Sequence, residues 1–588
     1  MTPAGITIAA LAFAAPAPSA ADEGSAQPDF LLAAADGARV SLHAEQPGRQ
    51  LTVLAWTSTQ CPITKLLAPR LGRLERDYRE RGVRFLGINP NIQDDAAEVQ
   101  AFAANAAIDF PILLDPLQVV TDRFEVTRTT EVLVLDGEFR VVYRGAVDDQ
   151  YSVGAARPAP LNDFLIGALE SALAGETVDP ERTDAPGCLV GRLNREPATA
   201  DVTFWRDVAP IVHRQCVECH RPGQAGPMSL LTADEAAGWA PMIAEVVGDG
   251  RMPPWHADPR HGRFRNERRL TETERRTLEL WALSGARAGD RADAPPPPGF
   301  PDATWQIGVP DAVVELPEPQ AIPATGVVPY RHVIVDPGFT EERWVEAIEL
   351  LPTAPAVTHH VMVFLIEPGL TPQQALTSRA ALEGTNHFAQ IVPGGRAIVL
   401  PAGFAKRVPA GARFLFQLHY TPNGTAATDR TRMALRFAQG PVASEVAARA
   451  VMNMGFAIPP RAAAAEFTAA STFLAPARLL SVMPHMHLRG KAMRVELARA
   501  GERRILLDVP RYDFNWQHTY QFTDPIELAA GDQVVLTAVF DNSPDNPHNP
   551  DPDARVRFGE QTFDEMLVGY LSLELPLPTA NAAPARGP

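Results

Sequence analysis

The chain has 588 residues, too many for one hydrophobic core, so three or four separately folding domains are expected. Its formal net charge of -17 excludes the basic surface that a phosphate backbone requires, and no nucleic acid partner is expected. Four cysteines exclude a disulfide-dense scaffold, and 56 prolines, about twice the usual share, favour strands and turns over long helical bundles.

Residues 1–21 hold an apolar stretch, Ile6 to Ala15, followed by the small residues Ser19-Ala20-Ala21. The pattern resembles a secretory signal peptide, which implies a periplasmic or secreted protein; a disordered Ala/Pro-rich tail is the other reading. No later run is long and apolar enough to span a bilayer.

Residues 27–180 alternate β-rich runs (Leu51 to Trp56, Val83 to Asn89, Val132 to Asp136, Arg140 to Tyr143) with helical stretches such as Leu66 to Glu80, an α/β pattern. Cys61-Pro62-Ile63-Thr64 follows the first of these runs and leads into a helix, whose N-terminal dipole favours a thiolate. Together with Tyr143 to Asp149, this resembles the redoxin branch of the thioredoxin-like fold. Thr64 stands where an oxidoreductase of that fold has its resolving cysteine, and Thr130 where it has its cis-proline. Ser58 agrees with peroxiredoxins, whereas Leu54 replaces the proline of their motif. A dithiol cycle inside the motif is therefore excluded. Either Cys188 or an external thiol resolves a mixed disulfide at the possible redox thiol Cys61, or the domain is a dock and Cys61 is incidental.

Residues 200–290 predict a small all-α domain, with helices over Trp205 to Arg214, Ala233 to Gly248 and Thr271 to Ser284, the last opened by a Thr271/Glu274 capping box. Cys216-Val217-Glu218-Cys219-His220 is the c-type haem attachment pattern: two thiols spaced for thioethers and an imidazole placed under the iron. Zinc would need two further soft ligands, and no second cysteine pair exists. With Phe204 to Ile211 before it and Arg251 to Asp258 after it, the segment resembles the small cytochrome c domains of bacterial redox proteins. One covalent haem c is implied, fed by an external electron donor. Met252 is the expected second axial ligand, with Met228, Met242 and His256 as competitors. Covalent haem attachment takes place outside the bacterial cytoplasm, which agrees with export.

Residues 291–304 form a Pro-rich linker, with Pro295 to Pro298 consecutive. Short β-branched runs between Pro, Gly and Asn turns then dominate, and two consecutive all-β sandwiches are expected over 305–445 and 446–580. Five of the 14 histidines fall here in three local patterns: His359-His360, His419 in Phe416-Gln417-Leu418-His419-Tyr420, and His485-Met486-His487. Two histidines two apart on a strand share a face and make a metal clamp. Adjacent His359 and His360 would face opposite ways, so joint ligation requires a strand end or a bulge. Imidazoles alone do not separate zinc from copper; a thioether such as Met566 favours copper, and Met483, Met486 and Met493 are alternatives.

The ordered set His-His, Gln-Leu-His-Tyr, His-x-His and Asp-Glu-Met-x-x-x-Tyr resembles the ascorbate-dependent type II copper monooxygenases, of the peptidylglycine and dopamine type. The resemblance implies two jelly-roll-like sandwiches, each bearing one copper, across a solvent-filled cleft. It implies an electron-storing copper at His359, His360 and His419, beside Gln417, and an oxygen-binding copper at His485, His487 and Met566, with Tyr570 retained. Two coppers match the chemistry, since placing one atom of O2 in a C–H bond and releasing water takes two electrons. Met483 and Val568 stand where the peptidylglycine enzymes hold a substrate carboxylate with Arg and Asn, so a less polar small-molecule substrate is expected. Two other classes remain open: a non-catalytic copper or electron carrier, and a thiol-disulfide protein whose metals are structural.

Overall fold

The computed structural model describes residues 25–46, 48–152, 155–191, 201–300, 305–371, 374, 385–395 and 397–577. The signal-like residues 1–21 and linker residues 301–304 lie outside them. The chain divides into two compact units. One comprises residues up to Ser58, Arg70–Val147 and Phe164–Ala185; the other comprises Thr59–Pro69, Asp148–Asp163 and everything from Pro186 onward.

The first unit is built on a seven-stranded mixed sheet. Its inner strand Leu51–Trp56, buried along its whole length, is parallel to the middle strand Val83–Asn89 on one side and antiparallel to Val132–Leu135 on the other. Leu54, Trp56, Leu86, Ile88, Leu133 and Leu135 fill its core. These strands read as near-continuous apolar runs because both faces are covered. The helix that follows the inner strand Leu51–Trp56 runs Pro62–Arg79 and so starts earlier than predicted, directly after Cys61, since proline suits a first helical turn.

The second unit opens with a helical segment. A π-helical turn, Phe204–Val208, leads into Ala209–Gln215, and Glu272–Leu283 carries the predicted Thr271/Glu274 capping box. The expected helix over Ala233 to Gly248 is two helices, Ala233–Gly238 and Ala240–Gly248, separated at Trp239. Pro241 has no amide to continue the first helix and sits in the first turn of the second. Phe204, Val208, Ile211, Trp239, Ile243 and Trp281 form the core of this segment. Linker residues Arg291–Asp293 make one 3-10 turn, capped by Asp290.

Two β-sandwiches follow. In the first, Val345, Ile348 and Leu350 from one sheet pack against Val361, Val363, Phe414, Phe416 and Leu418 from a four-stranded sheet of order Arg331–Val335, Arg413–Tyr420, Thr358–Ile366, His387–Ile391. In the second, Leu479, Leu571 and Leu573 meet Val495, Leu497, Val534, Leu536 and Phe540. The two-residue period of Phe414, Phe416 and Leu418, and of Val534 and Leu536, is what one buried face requires. The sandwiches share a nine-stranded sheet: Phe404–Val408 of the first pairs in parallel with Ser444–Met452 of the second. Trp255 and Phe264, between the helices Ala240–Gly248 and Glu272–Leu283, join the second sandwich's core.

Candidate metal centres

His359 and His360 enter the strand Thr358–Ile366, which pairs antiparallel with Arg413–Tyr420. The register shifts between Thr358, opposite Tyr420, and His360, opposite His419. A register shift of this kind is what joint ligation by two adjacent histidines would need, since an extra residue can set consecutive side chains on one side. His359, His360 and His419 each offer a nitrogen within 4.8 Å of the others, and all three are buried. The Nδ1 atoms of His359 and His360 are 3.1 Å apart. Burial pushes His359 down to about 4, and holds His360 and His419 well below the ordinary imidazole value, with neighbouring histidines adding to the effect. Three neutral imidazoles in one buried cluster are the protonation state that metal ligation needs. His359 Nε2, His360 Nε2 and His419 Nδ1 have no hydrogen-bond partner. The Gln417 amide nitrogen lies 3.3 Å from His332 Nε2.

His485 ends the strand Ala477–His485, and His487 follows two residues on; their ring centroids are 5.2 Å apart. His485 Nδ1 lies 2.6 Å from Gln517 Oε1, and His487 Nδ1 lies 3.3 Å from the Asp564 carbonyl. Since an amide oxygen and a carbonyl only accept, both rings carry their proton on Nδ1 and present an unprotonated Nε2. Burial lowers His485 to about 4 and His487 well below the ordinary value.

The Met566 backbone lies near this site by register and by a shared acceptor, Glu565. His485 stands opposite Val568 in an antiparallel pair, so the chain beyond the strand ends brings Met566 opposite His487. Glu565 fixes the approach. Its buried carboxylate accepts amide hydrogens from His487 at 2.8 Å, Arg489 at 2.6 Å and Met566 at 3.2 Å. Burial pushes Glu565 up to about 7, against those bonds and the Arg489 charge. Arg489 is itself buried and held by Asn542 Oδ1 at 2.7 Å and the Phe563 carbonyl at 2.8 Å. Tyr570, on the neighbouring strand opposite Met483, places its ring 6.2 Å from His485.

An open, solvent-filled gap between the two histidine groups is not what the structure shows. The buried Tyr330 ring lies 4.6 Å from His419 and 6.3 Å from His487, and Phe514 lies 4.6 Å from His359 and 6.0 Å from His487. Tyr330, Phe514, Gln517 and Glu565 were not singled out from the sequence. Nor was His387, whose ring lies tilted 5.0 Å from that of Tyr570 and which burial lowers to about 3.

In the helical segment, Cys216 ends the helix Ala209–Gln215 and its amide bonds back to Val212. Burial pushes the Cys216 thiol up to about 12, raises Cys219, and lowers His220, whose Nδ1 is buried without a hydrogen-bond partner. A thiol pair beside a neutral imidazole with an unsatisfied nitrogen fits covalent haem attachment. Met242 is packed in the helical core, and His256 lines a small cavity with Tyr512, His518 and Tyr520 of the second sandwich. Met252 is half-buried beyond the helix Ala240–Gly248, its amide bonded to the Val246 carbonyl at 2.9 Å. A separate cavity of about 380 Å³ has Cys219 and Arg221 on one wall and Thr358, Leu350 and Gly394 on others. Gly394 approaches so closely that an added methyl carbon would stand 2.7 Å from Cys219 Sγ. Cys61 is fully buried, with the Cys188 amide nitrogen 3.4 Å from its sulfur.

Comparison with known proteins agrees at both ends of the chain. Thiol-disulfide oxidoreductase ResA of Halalkalibacterium halodurans is 26% identical over 134 residues, which cover 22% of this chain and 74% of that protein. ResA of Bacillus subtilis is 25% identical over 120 residues, covering 20% and 65%. A solved structure of an uncharacterized conserved protein from Geobacillus kaustophilus is 27% identical, covers 29% of this chain and 93% of its own, and has a TM-score of 0.27. The Redoxin family model matches residues 22–157, and the model described as copper type II ascorbate-dependent monooxygenase, C-terminal domain, matches residues 448–573. The chain therefore carries a thioredoxin-like redoxin domain near its start and a copper type II monooxygenase C-terminal domain near its end, the latter implying copper, O2 and a small-molecule substrate.

Proposed function

We propose that the chain is an exported copper-dependent monooxygenase that hydroxylates a C–H bond of a small, non-peptidylglycine substrate and draws electrons through its own c-type haem segment. The observation that carries this reading is the pair of buried, neutral histidine groups, His359/His360/His419 and His485/His487, the second inside the matched monooxygenase domain. Copper at the two sites would supply the two single electrons that reduction of O2 during C–H hydroxylation requires.

The protein's own contribution is orientation and dryness. Gln517 and the Asp564 carbonyl fix the tautomers of His485 and His487, and Glu565 holds the turn carrying Met566 against the His487 backbone. Tyr330 and Phe514 exclude water between the groups, which strengthens every electrostatic interaction there. Met483 and Val568 offer no charge to a carboxylate, which supports a less polar substrate.

For the haem, Cys216, Cys219 and His220 are the residues that would hold it, with Met252 as second axial ligand, and it would deliver electrons one at a time. Its input to the first copper site is supported by the cavity that Cys219 shares with Thr358, the residue before His359. Export rests on the Ile6–Ala15 stretch and on the extracytoplasmic chemistry of haem attachment. Among the described residues no helix is long and apolar enough to cross a membrane.

Metal analysis with O2 uptake tests the proposal. Two coppers and one haem per chain are expected, with Met566→Ala losing one copper and all coupled O2 consumption. Full copper loading without O2 consumption across reductants and substrates would instead identify a copper or electron carrier.

A further inference from the structure

Cys61 and Cys188 belong to neither the copper ligands nor the haem attachment motif, and 127 residues separate them, yet the Cys188 amide nitrogen stands 3.4 Å from Cys61 Sγ. With an N–Cα bond of about 1.46 Å, Cys61 Sγ is within about 5 Å of the Cys188 Cα. Rotation about the Cys188 side chain then governs whether the two sulfurs reach the bonding distance of about 2.05 Å.

Both cysteines are fixed from the same side by separate contacts. Next to Cys61, Gln60 Oε1 accepts a hydrogen bond from the Trp239 indole at 3.2 Å. Cys188 and Leu189 pack against the core that contains Trp239 and Ala240. Gly191 fits so tightly that an added methyl carbon would stand 2.4 Å from the Gly238 carbonyl oxygen. Cys61 also precedes the 18-residue helix Pro62–Arg79, whose N-terminal dipole and the Cys188 amide favour the thiolate against the opposing effect of its full burial. Thr64, buried at the position of a second motif thiol, cannot take that part.

We infer that Cys61 and Cys188 are a thiol–disulfide pair in which Cys61 attacks and Cys188 resolves. The Cys61 thiolate attacks the disulfide of glutathione or of a partner protein, forming a mixed disulfide and releasing one thiol. The Cys188 thiolate then attacks Cys61 Sγ, forming the Cys61–Cys188 bond and releasing the second thiol. Two electrons and two protons leave the chain, which is oxidised, and the partner disulfide is reduced to two thiols. The pair shares no residue with the copper sites, so this inference and the monooxygenase reading succeed or fail separately.

The test uses the full chain, reduced, exposed to glutathione disulfide, alkylated and mapped by mass spectrometry. A linked pair of peptides containing Cys61 and Cys188 is expected. In Cys188→Ser, glutathione should remain on Cys61 at least tenfold longer, and in Cys61→Ser, Cys188 should stay unlinked. Unchanged copper content in both variants reports an intact fold, and the wild-type map needs no variant. Complete alkylation of both cysteines in the wild-type chain, or a link from Cys61 to Cys216 or Cys219, would overturn the inference.

Discussion

Glu565 shows how much of a candidate metal centre can depend on a residue that would not itself be a ligand. Its carboxylate is fully buried and accepts three backbone amides, two of them from the residues His487 and Met566. Removing the acceptor leaves those amides unsatisfied at about 1–3 kcal/mol each, so Glu565→Ala should cost about 3 kcal/mol or more. Urea unfolding should register that loss, and metal analysis should show the second copper weakened while the first persists. The histidines carry a pH dependence of definite sign. His359 and His485 ionise near 4 in the folded chain, against an ordinary 6.5. Between those values the unfolded chain takes up protons that the folded chain refuses. The contribution of these histidines to the stability of the metal-free protein should therefore be fully present above about pH 6.5 and decline toward pH 4, while Glu565, raised to about 7, acts in the opposite sense; in Glu565→Gln the melting temperature should fall from about pH 6.5 to pH 4, and a flat profile there would contradict the burial of these rings. At this scale the grouping of the histidines was legible, because clustered imidazoles leave a mark in sequence, and the structure brings His359, His360 and His419 together. Tyr330, Phe514 and Gln517 left none, because they meet the ligands only through tertiary apposition of distant strands.

At the scale of elements, the sequence made its sharpest demand at His359-His360, and the register shift opposite Tyr420 and His419 meets it. The need for a bulge could be argued from the two-residue period of a strand; its position could not, because pairing partners are set by the whole sheet. Helix ends were legible where a side chain caps them. The Thr271/Glu274 box is formed as predicted, and Thr271→Ala should destabilise the helical segment by about 1 kcal/mol without touching copper content, as thermal unfolding and metal analysis can check. The break at Trp239 was missed because the apolar period continues across it, although Pro241 was the available signal. Met566 was named as a thioether donor, and the resemblance singled it out from Met483, Met486 and Met493; the Glu565 contacts that hold its backbone beside that of His487 emerged only from the fold.

For the whole molecule, α/β, helical and all-β stretches could be told apart by period and by proline content, and the matched redoxin and monooxygenase segments fall in the first and last of these. What composition could not show is that the two sandwiches share a sheet, through Phe404 opposite Ser444 and Ala405 opposite Glu445. They should consequently melt together. Leu571→Ala, which empties a buried position in the second sandwich at a cost of about 2–5 kcal/mol, should lower a single calorimetric transition that includes the first. Two resolved sandwich transitions, only one of them shifted, would contradict that. The strand Ser444–Met452 runs through the junction between the two sandwiches while pairing with Phe404–Val408 before it and Val568–Pro576 after it. A recombination breakpoint placed there would cut a strand and leave two raw sheet edges. The two sandwiches should therefore pass between homologous genes only as one piece, carried together with Trp255 and Phe264, which help fill the second core.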